Sequence, residues 1–268
     1  MAAMKAIRKA LTIAGSDSGA GAGIQADLKT FAAHGVYGTS AITAITAQNT
    51  VGVSMILALS PKLVAAQIDA VVSDIGAHAL KTGMLANAAI IEIVAKKICQ
   101  YRLKNLVVDP VMVATSGDLL IKRNAVAALR ARLIPLATVV TPNLPEAEEL
   151  TGMKLRSSDD IAEAARRIFG MGAQSVVIKG GHRQGPAVDL FFDGKNFHAL
   201  YAPRIRTKNT HGTGCTLSAA IAANLAKGAK VEQAVALAKK YITEAIRRGF
   251  AVGAGHGPVH HFYRYWKR

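Results

Sequence analysis

The 268-residue chain has two cysteines, Cys99 and Cys215, too few for a disulfide framework. Aromatic residues make up 5% of it, which leaves little for a stacking platform that would hold single-stranded nucleic acid. Every apolar run is broken by a charge, Gly or Pro before the roughly 20 residues of a membrane-spanning helix. The first nine residues are mixed in character and contain no long apolar signal core, so a cytoplasmic location is expected. Acid is scarce as well: 17 Asp+Glu against 33 Lys+Arg give a formal charge of +16. The basic residues are dispersed, and pairs such as Arg166-Arg167 and Arg247-Arg248 sit among apolar neighbours, so nucleic acid is not an expected partner. The basic, aromatic stretch Tyr263-Arg264-Tyr265-Trp266-Lys267-Arg268 reads as a docked tail. What remains is 51% hydrophobic with 19% charge, a globular composition long enough for one large domain with an ample core.

The apolar material alternates between strand and helix periods. Leu11-Thr12-Ile13-Ala14 reads as a buried strand that runs into the loop of residues 15–23, and a helix follows over 24–34 with Gly35 as its stop. A strand is read over 41–47, ended by Gln48-Asn49-Thr50, and a helix over 61–73 entered at Pro61. The strand at 79–82 precedes a helix over 87–100, where Cys99 is expected to be a core thiol. Strands at 106–108, 137–141 and 175–178 alternate with helices over 125–133, 143–150 and 158–169. A hairpin of 188–192 and 197–201 turns at Asp193-Gly194, and helices over 217–225 and 231–248 complete the chain. This order predicts one doubly wound α/β domain with a mainly parallel sheet, its ligands beyond the carboxyl ends of the strands.

The chemistry gathers in those strand-end loops. In Asn209-Thr210-His211-Gly212-Thr213-Gly214-Cys215-Thr216, paired glycines lead into an apolar helix, whose free N–H groups and dipole favour an anion. Cys215 falls in the first helical turn, where a thiol pKa is expected to be lowered. The 15–23 loop fits a relaxed dinucleotide fingerprint, but the next strand ends without an acid for a ribose, and no P-loop Lys-Ser or Lys-Thr follows. Gln48 is either a ring-reading amide or part of a turn. Asp109 either approaches a metal or caps a turn. Asn143 and Glu146 either form a capping box or place Glu146 near magnesium and transferring phosphates. His211 reads as loop packing, and His256, His260 and His261 lack a carboxylate or cysteine to complete a metal set.

These pieces resemble a known family. Gly23-Ile24-Gln25-Ala26-Asp27-Leu28-Lys29-Thr30-Phe31, Thr141-Pro142-Asn143-Leu144-Pro145-Glu146-Ala147 and the 209–216 loop are similar to the hydroxymethylpyrimidine/phosphomethylpyrimidine kinases of the ribokinase-like superfamily. The likeness runs nearly the whole length, to Gly257-Pro258-Val259-His260-His261-Phe262. It implies a three-layer sandwich, a mainly parallel central sheet with helices on both faces. The implied activity is ATP- and Mg2+-dependent phosphorylation of 4-amino-5-hydroxymethyl-2-methylpyrimidine and then of its monophosphate. The resemblance places Gly15, Asp27, Gln48, Met84 and Val111 around the pyrimidine. Cys215 takes the position of a catalytic base, and Gly212, Thr213 and Gly214 that of an anion hole. Asp109 and Glu146 would organise magnesium, with Lys179, Lys208, Asn143 and Thr141 on the nucleotide side. The expected partners are these small molecules and a second copy in a homodimer, with no membrane. Two rivals stand beside this: a pyridoxal kinase of the same fold, and a pyrimidine sensor without turnover.

Overall fold

The computed structural model describes residues 6–112, 123–181 and 187–266. Of the basic, aromatic tail, Lys267 and Arg268 lie outside that set, as do the first five residues. Nine strands form one sheet. In chain order they are β1 (Lys9–Asp17), β2 (Tyr37–Gln48), β3 (Val53–Ala58), β4 (Ala79–Thr82), β5 (Leu106–Val108), β6 (Val139–Val140), β7 (Val176–Ile178), β8 (Ala187–Phe192) and β9 (Phe197–Ala202). Their order across the sheet is β3-β2-β1-β4-β5-β6-β7-β8-β9. The strands from β2 through β7 pair in parallel, and β3, β8 and β9 add antiparallel edges. The sheet is therefore mainly parallel, as the alternation predicts.

Helices cover both faces. On one side α2 (Pro61–Asp74), α3 (Ala88–Gln100), α4 (Arg123–Ala128), α5 (Leu144–Thr151) and α6 (Ser158–Gly170) pack through residues such as Ile68, Ile90, Leu133 and Ile168. On the other, α1 (Gly23–Ala33), α7 (Thr213–Ala226) and α8 (Val231–Arg247) pack through Phe31, Ile221 and Tyr241. From Thr216 to Ala226 every residue of α7 is buried, with small side chains that let it lie close under the sheet. Residues 125–133 begin as α-helix, but over Leu129–Leu133 the turn widens to a π turn. Strand β3 is not foreseen by the sequence pattern, because its residues are exposed on a hairpin edge and show no buried alternation. Cys99 is corrected too: it lies in α3 but on the solvent side, while Ile98 and Val94 face the core.

After β1 the chain places β2 and β3 to one side of it and β4 to the other. That reversal leaves a crevice beyond the carboxyl ends of β1 and β4, where open α/β sheets bind ligands.

Candidate active site

A cleft of about 1350 Å³ opens there, larger than the 300–1,000 Å³ typical of a single small-ligand pocket. It has room for two ligands side by side. Its lining includes Gly15, Gln48, Met84 and Val111, then Gly212, Thr213, Gly214 and Cys215, and then Asp109, Asn143, Glu146 and Lys179. Residues nearly 200 positions apart thus meet in one cavity.

The anion loop is built as its glycines require. Gly212, at φ 76°, is the residue preceding α7, in a conformation that a side chain resists. No side chain caps this helix start; the Thr213 N–H donates to the Thr210 carbonyl at 3.2 Å, and those of Gly214 and Cys215 are left for a charged group. Cys215 departs from expectation. Burial pushes its thiol up to about 11, against the pull of the Lys81 ammonium and the Gly23 N–H. At neutral pH the group is a thiol, because the loss of water around it outweighs the helix terminus.

Two lysine–carboxylate clusters flank this loop. In the first, Lys179 Nζ lies 2.8 Å from Asp109 and 3.7 Å from Glu146. The hydroxyl of Thr141 donates to Asp109 Oδ1 at 3.2 Å and that of Ser218 to Oδ2 at 3.2 Å. Burial opposes ionisation of Asp109, but Lys179 and Lys81 outweigh it and hold the carboxyl below its usual value. Glu146 goes the other way, to about 7, through burial and the neighbouring Asp109, with Lys179 opposing. One ammonium between two acids leaves a cluster short of positive charge. Asn143 and Glu146 do form the capping box, with Asn143 N–H donating to Glu146 Oε2 at 2.7 Å and Glu146 N–H to Asn143 Oδ1 at 2.8 Å. The capping alternative holds for Glu146, which also lines the cleft.

The second cluster is closed. Lys81, on β4, donates to Asp27 of α1 at 2.9 Å, and neither side chain has any exposure. Thr12 adds a hydrogen bond to the same Asp27 oxygen at 2.6 Å. Burial works against the Lys81 charge, but Asp27 beside it keeps the amine protonated. Asp27 is corrected as a pyrimidine ligand in that it lies beneath the cleft and outside its lining, with Oδ2 held by Lys81 and Thr12 and Oδ1 buried without a hydrogen-bond partner. Lys208 is corrected as well, being exposed and outside the lining, with its carbonyl accepting from His256 Nδ1. Thr141 is fully buried and acts on Asp109 rather than in the cleft.

Several lining residues are missed by sequence reasoning. Lys81 has a signal, a lysine inside an apolar central strand that must be buried. Asp17 and His211 face each other at 2.9 Å across the mouth. Asp189 and Lys239 pair at 2.7 Å beside an apolar wall of Ala202, Ile205, Ile242 and Ile246. Among the described residues no three His, Cys, Asp or Glu form a metal-holding group, and His261 is spent on Thr216, its pKa pushed down to about 3 by burial.

An anion loop at a helix start and a lysine–acid cluster meet in one large cleft of a mainly parallel α/β fold, an arrangement suited to transfer of a charged group. The family model described as phosphomethylpyrimidine kinase matches residues 17–260, and the chain belongs to that family. A hydroxymethylpyrimidine/phosphomethylpyrimidine kinase of Rhizobium meliloti is 55% identical over 262 residues, covering 96% of this chain and 98% of that protein. The thiamine biosynthesis bifunctional protein of Geobacter sulfurreducens is 56% identical over 94% of this chain, and the chain spans 51% of that longer protein. Among solved structures, the pyridoxal kinase of Bacillus subtilis in an ADP complex superimposes with a TM-score of 0.90 at 46% identity, over 96% of this chain and 98% of that one. The phosphomethylpyrimidine kinase of Clostridium difficile gives 0.80 at 48% identity, over 89% of this chain and 99% of that one. The chain is a phosphotransferase.

Proposed function

We propose that the enzyme uses ATP to phosphorylate 4-amino-5-hydroxymethyl-2-methylpyrimidine and then the resulting monophosphate. The observation that carries this is the meeting, in one cleft, of the α7 anion loop, the Lys179 cluster and an amide-bearing wall at Gln48. Gln48 and Met84 suit a flat heterocycle: an amide offers donor and acceptor to ring nitrogens and an amine, and a thioether packs on the ring face. The apolar wall of Ala202, Ile205, Ile242 and Ile246 suits the nucleotide base.

Phosphoryl transfer rests on positioning and charge stabilisation. The N–H groups of Gly212, Gly214 and Cys215 receive the charge of the migrating group, and Lys179 stands beside it. Cys215 takes the hydroxyl proton in the first step, as the new O–P bond forms and ADP leaves. Burial keeps most Cys215 protonated, so the competent thiolate is a minor form and the first step accelerates with pH. In the second step the attacking phosphate oxygen needs no base. Asp109 and Glu146 fit magnesium as hard oxygen donors, two carboxyls with one ammonium between them. Bound there, the ion would shield phosphate charge.

We infer a homodimer from the edge hairpin, where the opposed pairs Ile45–Leu57 and Ala47–Met55 share a face and Ile45, Met55 and Leu57 are exposed. A cytoplasmic location, where ATP is available, belongs to the same proposal. The test of function is ADP release with magnesium-ATP from the pyrimidine alcohol, its monophosphate and pyridoxal. Turnover of both pyrimidines with poor pyridoxal turnover supports it. Pyridoxal as the best substrate moves the enzyme to vitamin B6 chemistry, and binding without turnover makes it a sensor.

A further inference from the structure

The mouth of the cleft holds a side-chain pair that the proposed chemistry does not use. Asp17, at the end of β1, is 3% exposed. Its Oδ1 accepts the Gly19 N–H at 2.8 Å, and its Oδ2 accepts those of Gly21 at 3.1 Å and Ala22 at 2.8 Å. The same Oδ2 lies 2.9 Å from His211 Nε2. Burial opposes charge on Asp17, but His211 and the backbone donors outweigh it and hold the carboxyl below its ordinary value. A carboxylate that only needed to shape its own loop had its donors already. It also binds a residue 194 positions away.

That residue adjoins the anion loop. His211 immediately precedes Gly212, and its own N–H donates to the Gly257 carbonyl at 3.0 Å. The two glycine loops touch: a Cβ on Gly21 would overlap the His211 imidazole, and one on Gly212 would overlap the Gly21 carbonyl. Gln48 Nε2 lies 3.5 Å from His211 Nε2. Facing a carboxylate, Nε2 must carry the proton and donate it, so it cannot also accept from Gln48. The amide N–H groups of Gln48 are thereby left to the cleft, while Ser18 fixes the Gln48 backbone through hydrogen bonds of 2.6 and 2.8 Å.

We propose that Asp17 and His211 form a positioning pair that fixes the anion-hole N–H groups at a set distance from the ring-binding wall. Ring position is read at Gln48, phosphoryl charge is received at Gly212, Gly214 and Cys215, and the pair ties the two. It touches neither the reacting oxygen nor the phosphorus. A misplacement of about 1 Å at such a distance costs on the order of 100-fold in rate. The proposal rests on the kinase reading above, and turnover of both pyrimidines by the unaltered enzyme, run alongside, tests that reading separately.

The experiment compares His211→Leu with His211→Gln, whose side-chain amide can reach toward Asp17 with a donor. We expect His211→Leu to lower kcat at least about tenfold in both phosphorylation steps while KM for the pyrimidine stays within about threefold. His211→Gln should recover most of the lost kcat at unchanged KM. A raised KM with unaltered kcat would make His211 a ring contact and overturn the proposal, as would equal kcat in both variants. Asp17→Asn keeps shape and an oxygen acceptor while removing the charge. It must show the same kcat loss at constant KM, and wild-type kcat in a folded Asp17→Asn enzyme also overturns the proposal, whether or not His211→Leu folds.

Discussion

Two lysine–carboxylate clusters lie on either side of Cys215, and their difference separates fold from chemistry. Lys81 and Asp27 are fully buried, one acid and one ammonium at 2.9 Å, with Thr12 on the same Asp27 oxygen. Lys179 is 15% exposed at the wall of the cleft and answers to two acids, Asp109 and Glu146. The first cluster pairs one acid with one ammonium inside the fold, and only Lys81 borders the cleft. The second sets two acids against one ammonium at the cleft wall, where burial, and then Asp109, push Glu146 up to about 7. The same chemical pair serves two ends, and what differs is the ratio of acids to ammonium and the access to the cleft.

The largest expected effect comes from breaking the closed pair. Lys81→Met leaves Asp27 buried without its partner and should cost about 3–5 kcal/mol of stability in urea unfolding. Lys81→Met with Asp27→Leu should regain most of it. A double variant no more stable than the single one would mean that the charges do not hold each other.

Breaking the open cluster should act on rate instead. Lys179→Met is expected to lower kcat by about 10²–10³-fold, roughly 3–4 kcal/mol of transition-state stabilisation, with a small change in Tm. A loss of stability matching that of Lys81→Met would erase the distinction.

Much of this was legible in the sequence, for physical reasons that vary by residue. The 209–216 loop announces itself because an anion site needs small residues before a helix, and the pattern survives without knowledge of what surrounds it. Asn143 and Glu146 are legible as a cap because both partners lie within four residues. Asp27 was misread, since an acid three positions from Ile24 on a helix can face a ligand or a buried lysine, and only the fold brings Lys81 from 54 residues away. Asp17 gives no signal and His211 reads only as loop packing for the same reason: their meaning lies in a contact across 194 positions. The thiol of Cys215 was expected to be acidic because the helix start is visible in sequence and the degree of burial is not.

Cys215 feels both clusters and reports on them. With its pKa raised to about 11 by burial, its alkylation by iodoacetamide at pH 8 should be about 100-fold slower than that of an ordinary thiol, in a Cys99→Ser background. The sign of the linkage follows: the protonated thiol stabilises the fold fully below pH 9, and that contribution is lost as pH rises toward 11. Fast alkylation near pH 7 would show the helix terminus prevailing over burial.

The smallest effect sharpens the open cluster. Ser218→Ala removes one donor from Asp109 but leaves Lys179 and Thr141, and should cost about 1–2 kcal/mol in unfolding, with kcat reduced severalfold at most.

On the proposed function, one site runs two transfers with different demands on a base. The direct test is Cys215→Ala assayed on the pyrimidine alcohol and on its monophosphate under the same conditions. The expected result is a loss of about 100-fold or more on the alcohol and a change of a few-fold on the monophosphate. Equal losses on both would contradict it.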